Sequence, residues 1–600
     1  MVNSRSINRL LLLASALAAF LTPAFASGQG KYKVNDIQFI GNAAYQAGSL
    51  KKIMLTRKHS WLNRDFFQRN LFLDDLNVIL SFYHNEGFLE AAIKNYQIKI
   101  DSLKNQVDLK IEINEGAITT IAGISFFGNH VFSDPVLFRA ITSGINKPFK
   151  KQMLEKDNYN LLILYANQGY IEADIRPSLK ASPEKHEILI DFNISEGPQV
   201  KIGAIKINGL KKTRPHVILR ELVFKTGDIY HYEKILRSQR QLYLTGLFQS
   251  IFIKPMEKSP GAPGVRDIQI EVTEKQNAEL NFGLGWGTLD KWRGSGELLQ
   301  NNLMGRAQQV GLATFASFIT RRVEASFTDP WLFSTRTKTD FNGFVERREE
   351  PGYNINRHGI RLTFGRKLGH FSNLSLAYRY EIVDVDLNDL SQPLKENEKG
   401  STRSLIFTVT RDSRDDMINT TRGSLSSLDI ESAGAFLQGT STFIKLTGRR
   451  RQFIPITSRF VIASAVSWGW MGNYGVSKTV PIQERFFNGG ANSVRGFKEK
   501  FLGPKNEDDN PIGGNIFLTL NLIELRYLVI KKFSFIAFAD VGNVWPNRSF
   551  LSPVELRGGA GLGLRYHSPL GILRVDYSRK FDRQPGESAG EFYFSVGQAF

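Results

Sequence analysis

Two groups of glycines have a spacing that could suggest phosphate binding. They are Gly283, Gly285 and Gly287, and Gly559, Gly561 and Gly563. A phosphate-binding loop needs its glycines in a turn that leads into a helix, whereas a spacing of two residues places them on one face of a strand. We therefore predict that both groups are inward-facing packing positions on strands.

Motifs for covalent chemistry are missing from the sequence. It contains no Gly-x-Ser-x-Gly nucleophile elbow, no His-Glu-x-x-His zinc motif and no phosphate-binding loop ending in Gly-Lys-Ser or Gly-Lys-Thr. It also contains no cysteine. The sequence therefore predicts a protein that is not an enzyme, that needs no cofactor or metal, and whose function depends on binding and conformation.

The first 26 residues have the layout of a cleavable secretory signal. Arg5 and Arg9 precede an apolar run from Leu10 to Leu21, and the stretch Ala24-Phe25-Ala26 follows. An uncleaved membrane anchor is the alternative, but about a dozen apolar residues fall short of the roughly 20 that a spanning helix needs. We expect cleavage after Ala26 and export of the mature chain.

The rest of the 600-residue chain limits the possible environments. No later stretch is apolar for long enough to span a bilayer as a helix, so a spanning part would have to be a closed β-barrel. The net charge of +19 would suit nucleic acid, but an exported chain meets little of it. We therefore predict anionic lipid headgroups, and no nucleic acid, as the partner of this charge.

Residues 33–275 contain a unit that recurs three times at a spacing of about 80 residues. Each unit opens on a short strand that ends at glycine, at 37–42, 124–129 and 205–209, and continues with two helical patterns and two further strands. The sequence therefore predicts three β-α-α-β-β modules at 33–116, 118–197 and 199–275. Their sheet edges could accept an extended segment of another chain. A purely structural spacer is the alternative.

After residue 277 the pattern changes to strands with one apolar and one polar face. Leu374, Leu376 and Tyr378, for example, alternate with Ala377 and Arg379. A wet lumen tolerates regularly placed inward charges that the core of a soluble sandwich would not. At about 20 residues per strand and connection, residues 277–600 predict a transmembrane barrel of roughly 16 antiparallel strands with its apolar face toward lipid.

The first strand of this barrel, at about 278–287, must pair with the last, at about 592–600. The first strand carries Gly283, Gly285 and Gly287, which cost backbone entropy and offer no side-chain contacts across the seam. On the last strand the seam residues are Phe592, Phe594 and Phe600. We expect a weak seam whose opening exposes a strand edge.

These features together resemble the BamA/TamA family of outer-membrane assembly factors, whose members join periplasmic POTRA modules to a 16-stranded barrel. The most specific element is Val494-Arg495-Gly496-Phe497, which is similar to the family's sixth extracellular loop, folded into the lumen. An ordinary glycine-containing hairpin is the alternative for these four residues alone. Further matching segments, in the family's order around this motif, are Asn302 to Arg306, Asp329 to Leu332, Arg411 to Asp416, Phe486 to Gly490 and Phe538 to Trp545.

The resemblance implies that Arg495 docks on acidic residues of the inner barrel wall. The matching positions are Asp540 and Glu524. A guanidinium in a confined lumen needs such a carboxylate, because a charge-assisted pair replaces the hydration that it loses. The alternative is that Asp540 only lines a polar lumen.

The resemblance also implies a function and a location. Three modules rather than five make the chain look closer to TamA than to BamA, which implies a TamB-like periplasmic partner. We expect the bacterial outer membrane, with the modules in the periplasm, and as partners unfolded outer-membrane barrel proteins and outer-membrane lipid. The expected function is insertion of β-barrel proteins, including autotransporter-type clients, by lateral strand addition.

Two other functions compete with insertion. A polypeptide secretion pore of the two-partner type is the first alternative, but that family has two modules and an N-terminal plug helix. A passive porin is the second, and it leaves the three modules unexplained.

Overall fold

The structure is a computed structural model. It describes residues 32–60, 65–182, 186–257, 264–387, 399–417, 419–475, 477, 479–530, 532–550, 552, 555–568 and 571–596. The predicted signal peptide at 1–26 and Phe600 lie outside the described residues.

The N-terminal part forms three modules in the predicted β-α-α-β-β order. The first contains β1 (Lys33–Ile40), α1 (Ala47–Ile53), α2 (Arg69–Asn85), β2 (Ala92–Asp101) and β3 (Gln106–Asn114). The second contains β4 (Thr120–Phe127), α3 (Asp134–Ala140), α4 (Lys151–Ala166), β5 (Asp174–Ser182) and β6 (Glu187–Ser195). The third contains β7 (Lys201–Asn208), α5 (Pro215–Leu219), α6 (Tyr232–Leu244), β8 (Phe248–Pro255) and β9 (Val265–Glu274). The prediction of three α+β repeats is confirmed.

In each module the closing strand lies in the middle of a three-stranded sheet. The orders are β1-β3-β2, β4-β6-β5 and β7-β9-β8. In the first two sheets the opening strand runs parallel to the central strand, and the remaining strand runs antiparallel to it. β2 and β5 are therefore edge strands, which present backbone N–H and C=O groups along one side.

A helix covers one face of each sheet and supplies much of the core. In the first module, Phe72, Ile79 and Tyr83 recur at helical spacing on α2 and are buried in one cluster with Val107 and Ile111 of β3. Removing each such side chain from water contributes about 1.5–3 kcal/mol. Among the described residues, no helix is both long and apolar enough to cross a membrane.

The glycine that ends each opening strand is required by a close backbone approach. Gly41, Gly128 and Gly209 have φ angles of +84°, +81° and +90°. A Cβ at these positions would lie 2.0–2.3 Å from a carbonyl oxygen of the central strand. Any other residue would have to move the turn, so the recurring glycine reflects the same local geometry in all three modules.

An acidic residue at the end of each central strand ties down this turn. Glu115 accepts hydrogen bonds from the backbone N–H of Ala44 at 3.0 Å, and Glu196 accepts one from His130 at 2.8 Å. A tyrosine of the long helix also donates to each carboxylate, Tyr83 to Glu115 at 2.8 Å and Tyr165 to Glu196 at 2.9 Å. Burial, together with these hydrogen bonds, raises the pKa of Tyr83 and Tyr165 above the ordinary range.

The C-terminal part is a closed barrel of 16 antiparallel strands, which confirms the predicted fold. Its strands are β10 (Ala278–Gly287), β11 (Lys291–Leu303), β12 (Gln308–Ser317), β13 (Thr320–Asp329), β14 (Thr337–Glu350), β15 (Tyr353–Leu368), β16 (Ser372–Leu387), β17 (Lys399–Asp412), β18 (Gly423–Ala433), β19 (Phe443–Pro455), β20 (Phe460–Asn473), β21 (Ile516–Ile530), β22 (Phe533–Trp545), β23 (Arg557–Ser568), β24 (Gly571–Lys580) and β25 (Gly590–Val596). The first strand has the predicted bounds, and the last begins two residues earlier than predicted.

Along the barrel strands, burial alternates as the sequence pattern predicts. On β16, Ala377 and Arg379 are buried whereas Leu376 is exposed. On β24, Asp576 is fully buried and the next residue, Tyr577, is exposed. Polar and small side chains therefore face the lumen, and the exposed apolar side chains form the outward face.

The chain divides into two compact units. Among the described residues, one unit contains those up to Ile205 together with those in 224–235 and 255–268, and the other contains those in 206–223, 236–254 and 269–600. The boundary runs through the third module, so the segments 206–223 and 236–254 belong to the same unit as the barrel.

Candidate functional site: the lumen loop and the barrel seam

The connection between β20 and β21, residues 474–515, is called the lumen loop here, and its described residues fold into the barrel. Its motif residues Val494 and Phe497 are almost fully buried. Gly496 between them has a φ of +110°, a conformation that favours glycine. The loop approaches the wall closely, because a Cβ at Gly559 on β23 would lie 2.7 Å from the carbonyl oxygen of Arg495.

Arg495 contacts both acidic residues that the sequence singled out. Its Nε lies 2.6 Å from Oδ2 of Asp540, and its Nη2 lies 2.9 Å from Oδ1 of the same carboxylate. Its Nη1 lies 2.9 Å from Oε2 of Glu524. The fork of the guanidinium therefore binds Asp540 through two parallel hydrogen bonds and Glu524 through a third.

This contact is removed from solvent. Arg495 is 3% exposed and Asp540 is 0% exposed, and the guanidinium carbon lies 3.4 Å above the centre of the Phe538 ring. Asn521 also donates to Asp540 at 2.8 Å. Because every charge here has a partner, the arrangement fixes the loop at one place on the wall formed by β21 and β22.

Tyr593 on the last strand is a contact residue that the sequence analysis missed. Its hydroxyl accepts a hydrogen bond from the backbone N–H of Gly496 at 2.9 Å and donates one to the carbonyl oxygen of Phe497 at 2.7 Å. The only signal for it in the sequence was its inward position between Phe592 and Phe594. The lumen loop is thus tied directly to the strand that closes the barrel.

Replacing Tyr593 with phenylalanine should loosen the loop without unfolding the barrel. The Tyr593→Phe substitution removes one hydroxyl and leaves two buried backbone groups without a partner, which costs about 1–3 kcal/mol. We expect faster trypsin cleavage after Lys498, next to the motif, measured by mass spectrometry of the folded protein. Tyr577→Phe is the matched control, because Tyr577 is exposed on the neighbouring strand. Equal cleavage rates in both variants would contradict the assigned contact.

A second charged cluster, also missed by the sequence analysis, holds the beginning of the lumen loop. Glu484 is buried, and its Oε1 accepts a hydrogen bond from Nη2 of Arg379 on β16 at 2.9 Å. The same guanidinium lies 2.7 Å from Glu431 of β18. The loop is therefore held to the wall by ion pairs of both orientations. Glu484 of the loop pairs with Arg379 of the wall, and Arg495 of the loop pairs with acidic residues of the wall.

The seam between β10 and β25 has few pairs among the described residues. Trp286 lies opposite Val596 and Gly287 opposite Ser595, whereas β10 has ten register pairs with β11. The ring of Trp286 also packs against that of Phe594, with 5.4 Å between the ring centroids.

The three glycines of β10 face inward, opposite in direction to the exposed Phe282 and Leu284. Phe592 on β25 is exposed on the outward face, and Phe600 lies outside the described residues. The inward row of glycines therefore leaves the lumen side of β10 without side chains between residues 283 and 287.

Within the unit that contains the barrel, a turn of the third module touches the first periplasmic-side turn of the barrel. Asn302 donates to the hydroxyl of Thr213 at 2.8 Å, and Arg214 donates its backbone N–H to the carbonyl oxygen of Gly305 at 2.9 Å. Glu274 holds this turn, because its carboxylate accepts the backbone N–H of Thr213 at 2.8 Å as well as those of Lys211 and Lys212. This turn is therefore fixed to the turn between β11 and β12.

Glu274→Gln should weaken this turn. Burial raises the pKa of Glu274, but the three backbone hydrogen bonds outweigh it and hold the pKa below its usual range. The ionised carboxylate of Glu274 therefore stabilises the turn fully above the pKa that this residue has in the unfolded chain, roughly 4.3. This stabilisation is lost as the pH falls through the lower pKa that Glu274 has in the folded protein. We expect a three- to tenfold loss of amide protection at residues 211–213 near neutral pH, measured by hydrogen exchange with mass spectrometry.

Glu271→Gln provides the control for this measurement. Glu271 lies on the same strand and pairs with Lys254 at the surface. Its substitution should leave protection at 211–213 unchanged, and an equal loss in both variants would show that Glu274 has no special role in the turn.

No group of three or more histidine, aspartate or glutamate side chains among the described residues is arranged to hold a metal ion.

Comparisons with known proteins agree with this architecture. The Omp85 superfamily domain matches residues 302–600. The POTRA family, described as a surface antigen variable number repeat, matches residues 32–116, 119–197 and 200–275. The fold and the lumen loop together define an outer-membrane protein of the Omp85 class.

Curated relatives and a solved structure narrow this class. The chain is 26% identical to the outer membrane protein assembly factor BamA of Nitratidesulfovibrio vulgaris over 544 residues, which cover 88% of this chain and 67% of that protein. It is 24% identical to BamA of Neisseria meningitidis, over 95% of this chain and 78% of the relative. The crystal structure of Haemophilus ducreyi BamA lacking POTRA domains 1–3 has the same fold, with a TM-score of 0.70 at 19% identity over 80% of this chain and 100% of that one. The chain belongs to the BamA/TamA family of outer-membrane assembly factors.

Proposed function

We propose that this protein assembles β-barrel proteins and inserts them into the bacterial outer membrane, with its three modules in the periplasm. The observation that carries the proposal is a closed barrel whose first and last strands share two register pairs among the described residues, joined to three modules with edge strands. Relatives named as outer membrane protein assembly factors support the same function.

In this proposal the modules receive the unfolded client. β2 and β5 lie at the edges of their sheets, and an extended client segment can add to such an edge through backbone hydrogen bonds. These bonds do not depend on the client's side chains, so one surface can serve clients of different sequence.

The client then enters the bilayer at the seam. Opening the pairs between β10 and β25 exposes a strand edge, and a client strand can pair there before the next one follows. In lipid every backbone polar group must find a partner within the protein, so closure of the new barrel supplies the free energy without nucleotide hydrolysis.

The lumen loop controls this step in our proposal. Arg495 fixes the loop to β21 and β22, and Tyr593 ties the same loop to β25. A docked loop therefore supports the last strand from inside, and its release would weaken the seam.

The finer assignment concerns the partner and the clients. A count of three modules favours a TamA-like role, with a TamB-like periplasmic partner, autotransporter-type clients and contact with outer-membrane lipid. Co-purification of a TamB-like protein with the intact chain from its native membrane would support this role. Co-purification of lipoprotein partners in its place would favour a short BamA-like role.

The direct test follows folding of a client in vitro. The full chain is placed in liposomes, a urea-denatured outer-membrane barrel is added, and its folding is followed together with single-channel conductance. Accelerated folding that requires residues 33–275, with small or unsteady conductance, would support insertion. Large steady conductance without acceleration would contradict it and favour a secretion pore of the two-partner type.

A further inference from the structure

The outward face of the barrel carries a groove of about 820 Å³ beside the seam strand. Its floor consists of positions with small side chains on β11 and β12, among them Gly294, Gly296 and Ala316. Phe282 and Leu284 of β10 form one wall, and they are 78% and 81% exposed. The register places Leu284 opposite Gly294 and Gly294 opposite Ala316, so these residues share one face of the sheet.

The packing of the barrel wall does not require the small residue that forms the floor of this groove. A Cβ built at Gly294 would meet no atom closer than 3.6 Å, so a larger side chain would fit there and fill the floor. The volume lies in the range of sites that hold small organic ligands, and its walls are apolar. A single acyl chain suits such an apolar lining.

Two arginines stand at one end of the groove. Arg321 on β13 and Arg347 on β14 line it and are direct register partners. Both are exposed, and neither forms a side-chain ion pair within the part of the chain that the structure describes. Two like charges directly opposite each other on a sheet are destabilising unless an anion lies between them.

The neighbouring Arg322 differs from this pair, because its charge is balanced by acidic side chains of the barrel itself. Arg322 points to the other face and pairs with Glu324 at 2.7 Å and with Glu346 at 2.8 Å. On the outward face of β14 the next carboxylate is Glu349, two residues beyond Arg347 toward the strand end. The positive charges of Arg321 and Arg347 are thus available to an anionic group from outside the protein.

The position of the pair indicates which side of the membrane supplies that group. The turn between β11 and β12 touches the third module, so the opposite end of these strands, where Arg321 lies, is the extracellular end. Trp286 and Trp292 are register partners near the same end. Tryptophans are typical of the membrane interface, where lipid headgroups begin.

We propose that this groove binds one phosphate-bearing lipid of the extracellular leaflet, with its phosphate on Arg321 and Arg347 and one acyl chain along the floor. Charge-assisted hydrogen bonds from two guanidinium groups suit a phosphate. The bound lipid would lie against β10, the strand that forms one side of the seam.

The test measures lipid binding by the full chain in a neutral detergent. Native mass spectrometry follows titration with phosphatidic acid and, separately, with phosphatidylcholine of the same acyl chains. We expect one phosphatidic acid to bind at least tenfold more tightly than phosphatidylcholine. The double variant Arg321→Gln/Arg347→Gln should lose this preference, and Gly294→Leu should weaken phosphatidic acid binding at least tenfold while both arginines remain.

Arg366→Gln is the matched control. Arg366 of β15 lies opposite Leu374 of β16, at the end of the strands that is away from Arg321 and Arg347. It should bind phosphatidic acid as the unmodified protein does. Heat-modified mobility in gels confirms that each variant is folded, and the arginine pair can be judged even if Gly294→Leu fails to fold.

Three outcomes would overturn the proposal. They are equal binding of the two lipids, unchanged binding by the double arginine variant, and competition by inorganic phosphate as effective as that of phosphatidic acid, which would show that the acyl groove contributes nothing.

Discussion

Oxidation of a Gly287→Cys/Ser595→Cys variant should abolish insertion of client barrels. The two positions are register partners across the seam, and a Cβ at residue 287 would lie 3.9 Å from the Cβ of Ser595. This separation matches the roughly 3.8 Å that a disulfide requires. The chain has no other cysteine, so no competing disulfide can form within it.

The expected effect is large because a covalent bond replaces a few hydrogen bonds at the proposed entry point. Under oxidising conditions, client folding should fall to the rate seen in empty liposomes, and a reductant should restore it. The measurement is the folding of a urea-denatured client, with disulfide formation checked by mass spectrometry of the folded protein.

A second disulfide on the same strand separates seam locking from general stiffening. Gly283→Cys/Ser295→Cys joins β10 to β11, which are neighbours in the hairpin and need not separate. This variant should insert clients at the normal rate in both redox states. Normal insertion by the oxidised seam variant would rule out the seam as the entry path.

The architecture could be predicted from the sequence because it depends on periodic patterns that are visible in short stretches of the chain. The change from a repeat of about 80 residues to alternating strands places the barrel, and the glycine spacing places β10 at Ala278–Gly287 as the structure has it. The count of 16 strands follows from length, since each strand must span the same bilayer.

The contacts of the lumen loop could be predicted only in part. Arg495, Asp540 and Glu524 were found through a family resemblance, and the structure brings all three together. Tyr593 and Glu484 were missed, because their partners are distant in sequence and no local period shows which inward side chain meets which turn of the loop.

The groove shows a similar limit. Gly294 and Gly296 are ordinary strand glycines in the sequence, and Arg321 and Arg347 are two arginines among many. Only the registers of β10 to β14 bring them to one outward face. Register depends on pairing across the whole sheet, which local sequence patterns do not fix.

Arg495→Ala should release the lumen loop and destabilise the barrel. Removing one partner of a buried ion pair costs about 3–5 kcal/mol, because the other charge stays buried without compensation. Here Asp540 would lose two hydrogen bonds and Glu524 one. We expect the variant to lose its heat-modified gel mobility at a lower temperature and to insert clients at least tenfold more slowly.

Three further variants decide whether the ion pair causes this effect. Arg459→Ala, at an exposed turn between β19 and β20, should behave as the unmodified protein does. Arg495→Lys keeps the charge but cannot bind Asp540 through two parallel hydrogen bonds, so it should restore stability only in part. Asp540→Asn combined with Arg495→Ala should cost less than the sum of the two single changes, because the second removes a charge that the first has left unpaired. Additive costs, or unmodified stability and activity in Arg495→Ala, would mean that the loop is held by its other contacts and that the arginine has no part in gating the seam.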